Sequence, residues 1–127
     1  MRILLDTHTL LLAAKGVLPK KVQSLLEDGS NDLYFSPVNL WEIELKKDRL
    51  NTDSQAMCQK LSLNGYIELP VTARHILALA QLPAIHHDPF DRALIAQAQS
   101  EQIYLLSPDE AVKRYSRSLE YIMGFKR

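Results

Sequence analysis

The chain has 127 residues, 46% of them hydrophobic, and Lys plus Arg equal Asp plus Glu at 15 each. That is the size and apolar content of one globular domain spanning residues 1–127, able to bury a core without disulfides or a structural metal and leaving no room for a second domain. Zero net charge excludes a global field for polyanions, so any nucleic-acid contact has to come from a local basic patch. The lone Cys58 excludes an internal disulfide and has no cysteine partner at metal-binding spacing, which fits a reducing cytoplasm.

Ile3-Leu4-Leu5 is a short apolar run that reads as a buried strand and ends against an ionisable group, Asp6. With Leu10-Leu11-Leu12 following, the N-terminus resembles a secretory signal, but Asp6 and His8 interrupt it, and no stretch reaches the roughly 20 apolar residues of a membrane span. Helical period covers Thr9 to Lys15 and Lys20 to Asp28, then Leu33 to Phe35 reads as a strand. Helices follow at Pro37 to Lys47 and Asp53 to Leu63, a strand at Tyr66 to Leu69, and helices at Thr72 to Leu82 and Pro89 to Gln102. Ile103 to Leu106 is the next strand, Pro108 to Arg114 a helix, and Leu119 to Met123 a short further strand. Such alternation predicts an α/β protein of three layers, α/β/α, whose mainly parallel sheet has four or five strands. Ligands of such sheets bind at the carboxyl ends of the strands.

Ser36-Pro37, Asp88-Pro89 and Ser107-Pro108 each set a capping side chain before a proline, which is tolerated at the first helical position because its missing N–H had no partner there. All three read as helix starts, and Asp91 and Asp109 then fall in first turns. Each acidic residue also has an ordinary explanation. Asp88 reads as a cap, and Asp91 is an anion favoured by the helix dipole. Ser107-x-x-Glu110 is a capping box that accounts for Glu110 and leaves Asp109 unexplained. Asp6 competes with Thr7 to cap the first helix.

Glu42 is harder to explain as surface. On a helix from Pro37, the residues Val38, Trp41 and Leu45 make one apolar stripe, and Glu42 falls inside it while Glu44 projects elsewhere. A carboxylate on a core-directed face needs a charge partner or a metal. Lys46, one turn on, offers the ion pair. Leu40 and Ile43 leave apolar surface on a second side of the same helix, as a partner contact or further core would require.

Adjacent His86 and His87 lack zinc-ligand spacing and read as a loop at the mouth of a site, while His8 either orients a water or phosphate or lies on the first helix's surface. There is no phosphate-binding glycine loop. Arg2, Lys46, Lys47, Arg49 and Arg92 lie near the carboxylates in this reading, and Lys113, Arg114, Arg117, Lys126 and Arg127 cluster toward the C-terminus, so a local patch for RNA phosphates is available. Few aromatic residues are present for base stacking, which shifts recognition toward RNA shape and backbone.

Taken in order, Ile3-Leu4-Leu5-Asp6-Thr7-His8, Phe35-Ser36-Pro37-Val38-Asn39-Leu40-Trp41-Glu42-Ile43, His87-Asp88-Pro89-Phe90-Asp91-Arg92-Ala93-Leu94-Ile95-Ala96-Gln97-Ala98 and Leu105-Leu106-Ser107-Pro108-Asp109 resemble the successive signatures of PIN-domain proteins, and most of all the VapC-type toxins of bacterial toxin–antitoxin pairs. The resemblance spans nearly the whole chain and departs from its relatives most between Lys47 and Leu63, where Lys47-Asp48-Arg49-Leu50 stands in place of a glycine-containing turn. It implies that Asp6, Glu42, Asp91 and Asp109 hold Mg²⁺ or Mn²⁺ and that the protein is a metal-dependent endoribonuclease. Thr7, Ser36, Asp88, Ser107, Lys46 and Arg92 would support that site. Ser107 replaces a frequent Thr, keeping a hydroxyl, and Asn39 replaces a frequent Ser, altering the hydrogen bonds around the ligands. A cognate VapB-type antitoxin, an RNA substrate and a homodimer are the implied partners. Two rivals remain open: a haloacid-dehalogenase-type phosphatase, which would need a second Asp where this chain has His8, and a catalytically idle module of the same fold that binds RNA or protein.

Overall fold

A computed structural model describes all of residues 1–127. Five parallel strands form one sheet in the order β3-β2-β1-β4-β5, with β1 at Arg2–Leu5, β2 at Asp32–Phe35, β3 at Ile67–Glu68, β4 at Tyr104–Ser107 and β5 at Ile122–Gly124. The central strand pairs Leu4 with Tyr34 on one side and with Leu105 on the other. Successive side chains of a strand face opposite ways, so a strand covered on both faces must be apolar throughout. Leu4 and Leu105 enter one core with Leu94, Ile95, Val112 and Tyr115. Ile3, Leu5 and Leu106 enter the other, with Leu10, Ile43, Met57 and Leu61. That alternation makes the three layers.

The helices are α1 (Thr7–Lys15), α2 (Lys20–Glu27), α3 (Pro37–Leu45), α4 (Ser54–Leu63), α5 (Ala73–Ala78), α6 (Pro89–Glu101) and α7 (Glu110–Lys113). Gly16, in the left-handed region at φ 70°, ends α1, a conformation that costs glycine nothing. The expected helices at Pro37 to Lys47, Thr72 to Leu82 and Pro108 to Arg114 are shorter than their periodicity predicts, because each finishes in or beside a 3₁₀ turn, at Lys47–Arg49, Leu79–Gln81 and Arg114–Arg117.

Two expectations are corrected. The buried stripe of α3 is Val38, Asn39, Glu42 and Ile43, whereas Trp41 and Leu45 are 60% and 64% exposed. Two of those buried residues are polar, so apolar periodicity picks the neighbouring face; Ile43, whose side was expected to meet a partner or further core, is core. Ser107 does not cap α7: it is the last residue of β4, and Asp109, not Ser107, accepts the capping hydrogen bond, from Ala111 N at 2.8 Å.

From β1 the chain steps outward to β2 and β3, then returns to lay β4 on the other side of β1. The order reverses between β1 and β4, and at such a switch point the loops leaving the two strands diverge and open a crevice.

Candidate functional site

Asp6 leaves β1 at that crevice and Asp109 follows β4. Asp6 is fully buried and caps α1: Oδ1 accepts from Thr9 N at 2.8 Å. Thr9 Oγ1 stands 2.6 Å from the same oxygen and 2.9 Å from Leu106 O, with one proton to give to either. Oδ2 accepts from Ser107 Oγ at 2.5 Å, and that hydroxyl in turn accepts from Asp109 N at 3.1 Å. Ser107 thus ties the two aspartates together across β1 and β4. The cap reading of Asp6 holds, with its second oxygen turned to Ser107.

Asp88 caps α6, Oδ1 accepting from Phe90 N at 2.8 Å and Asp91 N at 3.1 Å, which sets Asp91 on the first turn. Asp91 is 4% exposed, and its Oδ2 lies 2.9 Å from His86 Nε2. Burial, and then the charges of Asp88, Asp6 and Asp109, push the Asp91 carboxyl up from 3.8 to about 6, against the opposing pull of its hydrogen bond to His86. On the other side, Asp6 first, with Asp91 and Asp109 behind it, raises the His8 imidazole from 6.5 to about 8 although partial burial opposes it. His8 Nδ1 is 3.9 Å from Asp6 Oδ2, within ion-pair range and beyond a direct hydrogen bond. These mutual influences locate Asp6, Asp91 and Asp109 around one negative centre.

Glu42 reaches the cavity from α3. It is 3% exposed, and with Thr7, His8, Lys46 and Arg49 it lines a space of about 240 Å³. Oε2 accepts from Lys46 Nζ at 2.6 Å, whereas Oε1 is buried without a partner. A buried carboxylate oxygen with no donor is costly. Asn39 braces this side: its Oδ1 accepts from Ser36 N at 2.7 Å, and its Nδ2 donates to Leu5 O and Thr7 Oγ1. Ser36 Oγ takes up the α3 N-terminus through Val38 N at 3.0 Å. Asp6, Asp91 and Asp109 carry like charges that act on one another, ligand atoms of Asp91, Asp88 and His86 lie within 4.8 Å of one another, and Glu42 brings its orphaned oxygen to the space lined by Thr7 and His8. Such a set fits a hard divalent cation such as Mg²⁺ or Mn²⁺.

Not every expected residue faces the crevice. Arg2 lies at the opposite end of β1 and donates to Glu101 O at 2.8 Å. Arg92 points into the segment before α6, donating to Pro83 O, Leu79 O and Tyr115 Oη. Both were expected near the carboxylates because they adjoin Asp91 or the first strand in sequence, and neither offers its guanidinium to a ligand there. Lys47 pairs with the exposed Glu44 at 2.7 Å. Thr9 is the residue that motif reading passed over, and its signal was its place three residues after a capping Asp. His86 was expected in a loop at the mouth of a site, and it lies in the segment before α6 with Nε2 2.9 Å from Asp91 Oδ2.

A three-layer parallel sheet with acidic residues at its switch point defines a class of α/β proteins with an acidic crevice there. The sequence matches the PIN domain profile over residues 3–118, and the chain belongs to that family. No curated protein is recognisably similar to it in sequence. Among solved structures, the chain shares its fold with one from Salmonella typhimurium VapBC bound to DNA (15% identity, TM-score 0.72, 99% of this chain and 98% of that one). It likewise shares its fold with one from Rickettsia felis VapBC2 bound to a promoter DNA fragment (14%, 0.69, 100% and 99%) and one from Neisseria gonorrhoeae FitAcB (18%, 0.64, 96% and 96%). No helix is long and apolar enough to cross a membrane.

Proposed function

We propose that this protein is a metal-dependent endoribonuclease of the VapC type, the toxin of a toxin–antitoxin pair, acting in the cytoplasm. The observation that carries the reading is the buried carboxylate cluster at the switch point, with Glu42 Oε1 left without a protein donor and Asp91 pushed up to about 6. Asp6, Glu42, Asp91 and Asp109 would hold the cation. When bound, Mg²⁺ or Mn²⁺ supplies the charge that makes a water acidic enough to attack a phosphodiester and that stabilises the departing oxygen. The chain's own residues do the rest. Ser107 and Thr9 fix both oxygens of Asp6, so the carboxylate cannot rotate away. Arg49, which lines the same space as Glu42, supplies a cation for the flanking RNA phosphates, and the His8 imidazole beside it can donate a hydrogen bond to one. Asn39 and Ser36 hold α3 at the height from which Glu42 enters.

Asp6→Asn keeps the cap, since Asn caps helices as well as Asp does, and removes the charge. Total cellular RNA incubated with each protein in Mg²⁺, in Mn²⁺ and in EDTA tests the reading. Discrete cuts that need both cation and Asp6 are expected; metal-dependent cutting that survives in Asp6→Asn would sink it, and no cutting by folded wild type would favour the idle binding module. For partners, exposed Trp41 and Leu45 on α3 and Ile76 and Leu77 on α5 provide apolar surface for a second copy or an antitoxin segment. The likeness in fold to toxin–antitoxin complexes supports a VapB-type partner. Sizing the protein alone and with the adjacent small gene product checks this; a monomer indifferent to that product would refute it.

A further inference from the structure

We propose that His86 is a nitrogen ligand of the carboxylate site and that it makes the site select Mn²⁺ over Mg²⁺. The inference rests on the cation-binding reading above and deepens it. One donor atom from each of His86, Asp88 and Asp91 can be chosen so that all lie within 4.8 Å of one another. His86 Nε2 and Asp91 Oδ2 are 2.9 Å apart, close to the about 3 Å that separates two neighbouring donors on an octahedral ion with bonds of about 2.1 Å. The imidazole is held in place from behind. Its backbone N–H donates to Tyr115 Oη at 3.2 Å, and Tyr115, fully buried, takes a second hydrogen bond from Arg92 at 2.9 Å. Arg92 also reaches Pro83 O and Leu79 O, so the residues leading into α6 are clamped to the core rather than free to swing.

One proton lies between Nε2 and Asp91 Oδ2 in the cation-free contact. Ligation needs both atoms bare, with the imidazole's proton on Nδ1, which has no hydrogen-bond partner to lose. An all-oxygen set separates Mg²⁺ from Mn²⁺ poorly, whereas imidazole nitrogen favours the transition ion.

The test is electron spin-echo spectroscopy of bound Mn²⁺ together with Mn²⁺ and Mg²⁺ titration calorimetry, on wild type, His86→Gln, His8→Gln, His87→Gln and Asp6→Asn. Directly bound nitrogen-14 is expected in wild type and in His8→Gln and not in His86→Gln. His86→Gln should lose Mn²⁺ affinity by about tenfold or more while Mg²⁺ affinity changes far less. Mn²⁺ bound without a nitrogen signal overturns the proposal and leaves the carboxylate reading intact, as does an equal loss for both ions, which would mean that His86 only orients Asp91. Wild type binding neither ion, or Asp6→Asn binding both as well as wild type does, would overturn the carboxylate reading and the proposal with it. If His86→Gln fails to fold, the wild-type spectrum still decides when set beside His8→Gln and His87→Gln: a nitrogen signal kept in both supports His86, and its loss in either overturns the proposal.

Discussion

Replacing Asp91 by Asn should make the cation-free protein more stable at neutral pH. Asp91 sits in the fold with its carboxyl raised from 3.8 to about 6. At about 1.4 kcal/mol per tenfold, ionising it inside the native protein costs about 3 kcal/mol relative to the unfolded chain. The sign follows from the direction. A carboxyl raised by folding contributes its full stability below about pH 4 and loses it as pH climbs through about 6. Asn has the shape of the protonated acid and no charge, so it carries no such loss. In EDTA the two proteins should melt nearly together at the acid end, and Asp91→Asn should melt higher by roughly 10 °C at pH 7.5 for a chain of this size. Thermal denaturation at half-unit pH steps reads the effect directly. A gap that is constant with pH, or wild type melting higher throughout, would refute the account of Asp91 as a group held in place against its own electrostatics. Saturating Mn²⁺ should reverse the ranking, because only wild type gains binding free energy.

The His8 imidazole should titrate by NMR near 8 in cation-free wild type and fall toward 6.5 in Asp6→Asn, since Asp6 is the first cause of its rise; a midpoint unmoved by that change would contradict the site's geometry. Lys46→Met removes the one donor to the buried Glu42 and should cost about 1–3 kcal/mol by urea unfolding, with Glu42→Gln/Lys46→Met recovering most of it. Arg92→Ala should lower stability by about 2 kcal/mol through its lost carbonyl contacts, yet leave the salt dependence of RNA affinity unchanged; a shallower slope would return Arg92 to the phosphate-binding surface. Leu4→Ala, at the centre of the sheet, should cost about 2–5 kcal/mol with the cation affinity of the folded fraction retained.

The sheet was legible because the central strands carry apolar runs, as burial on both faces demands, and because Ser36-Pro37 and Asp88-Pro89, each a capping side chain before a proline, marked where helices begin, whereas Ser107-Pro108 marked only the end of β4. Of the aspartates only Asp109 was left without a local role in the sequence, since Asp6 reads as a cap and Asp91 as a first-turn anion, and it was the family resemblance that grouped the three. Glu42 came out buried as expected, but from a wrong stripe: periodicity counts apolar residues, and Asn39 and Glu42 are buried for their polar contacts to Leu5, Thr7 and Lys46. The displacement of the α7 cap from Ser107 to Asp109 escaped detection for a similar reason, since the Ser107 hydroxyl is claimed by Asp6, 101 residues away. His86 and Arg92 exchange their expected importance because Arg92 on α6 turns back to hold the preceding loop, and that loop in turn carries His86 to Asp91, which only the fold shows.

The pairing of Asp6 with Ser107 has a bearing on how a cell could make such a protein. The first strand leaves the ribosome early, but the hydroxyl that locks its aspartate and the second aspartate after β4 come 101 and more residues later. A growing chain that ends anywhere before β4 has an open flank on β1 and an incomplete set of carboxylates. Every truncated product short of that strand would therefore lack an assembled site, and the proposed activity would arise only once β4 and Asp109 have been made.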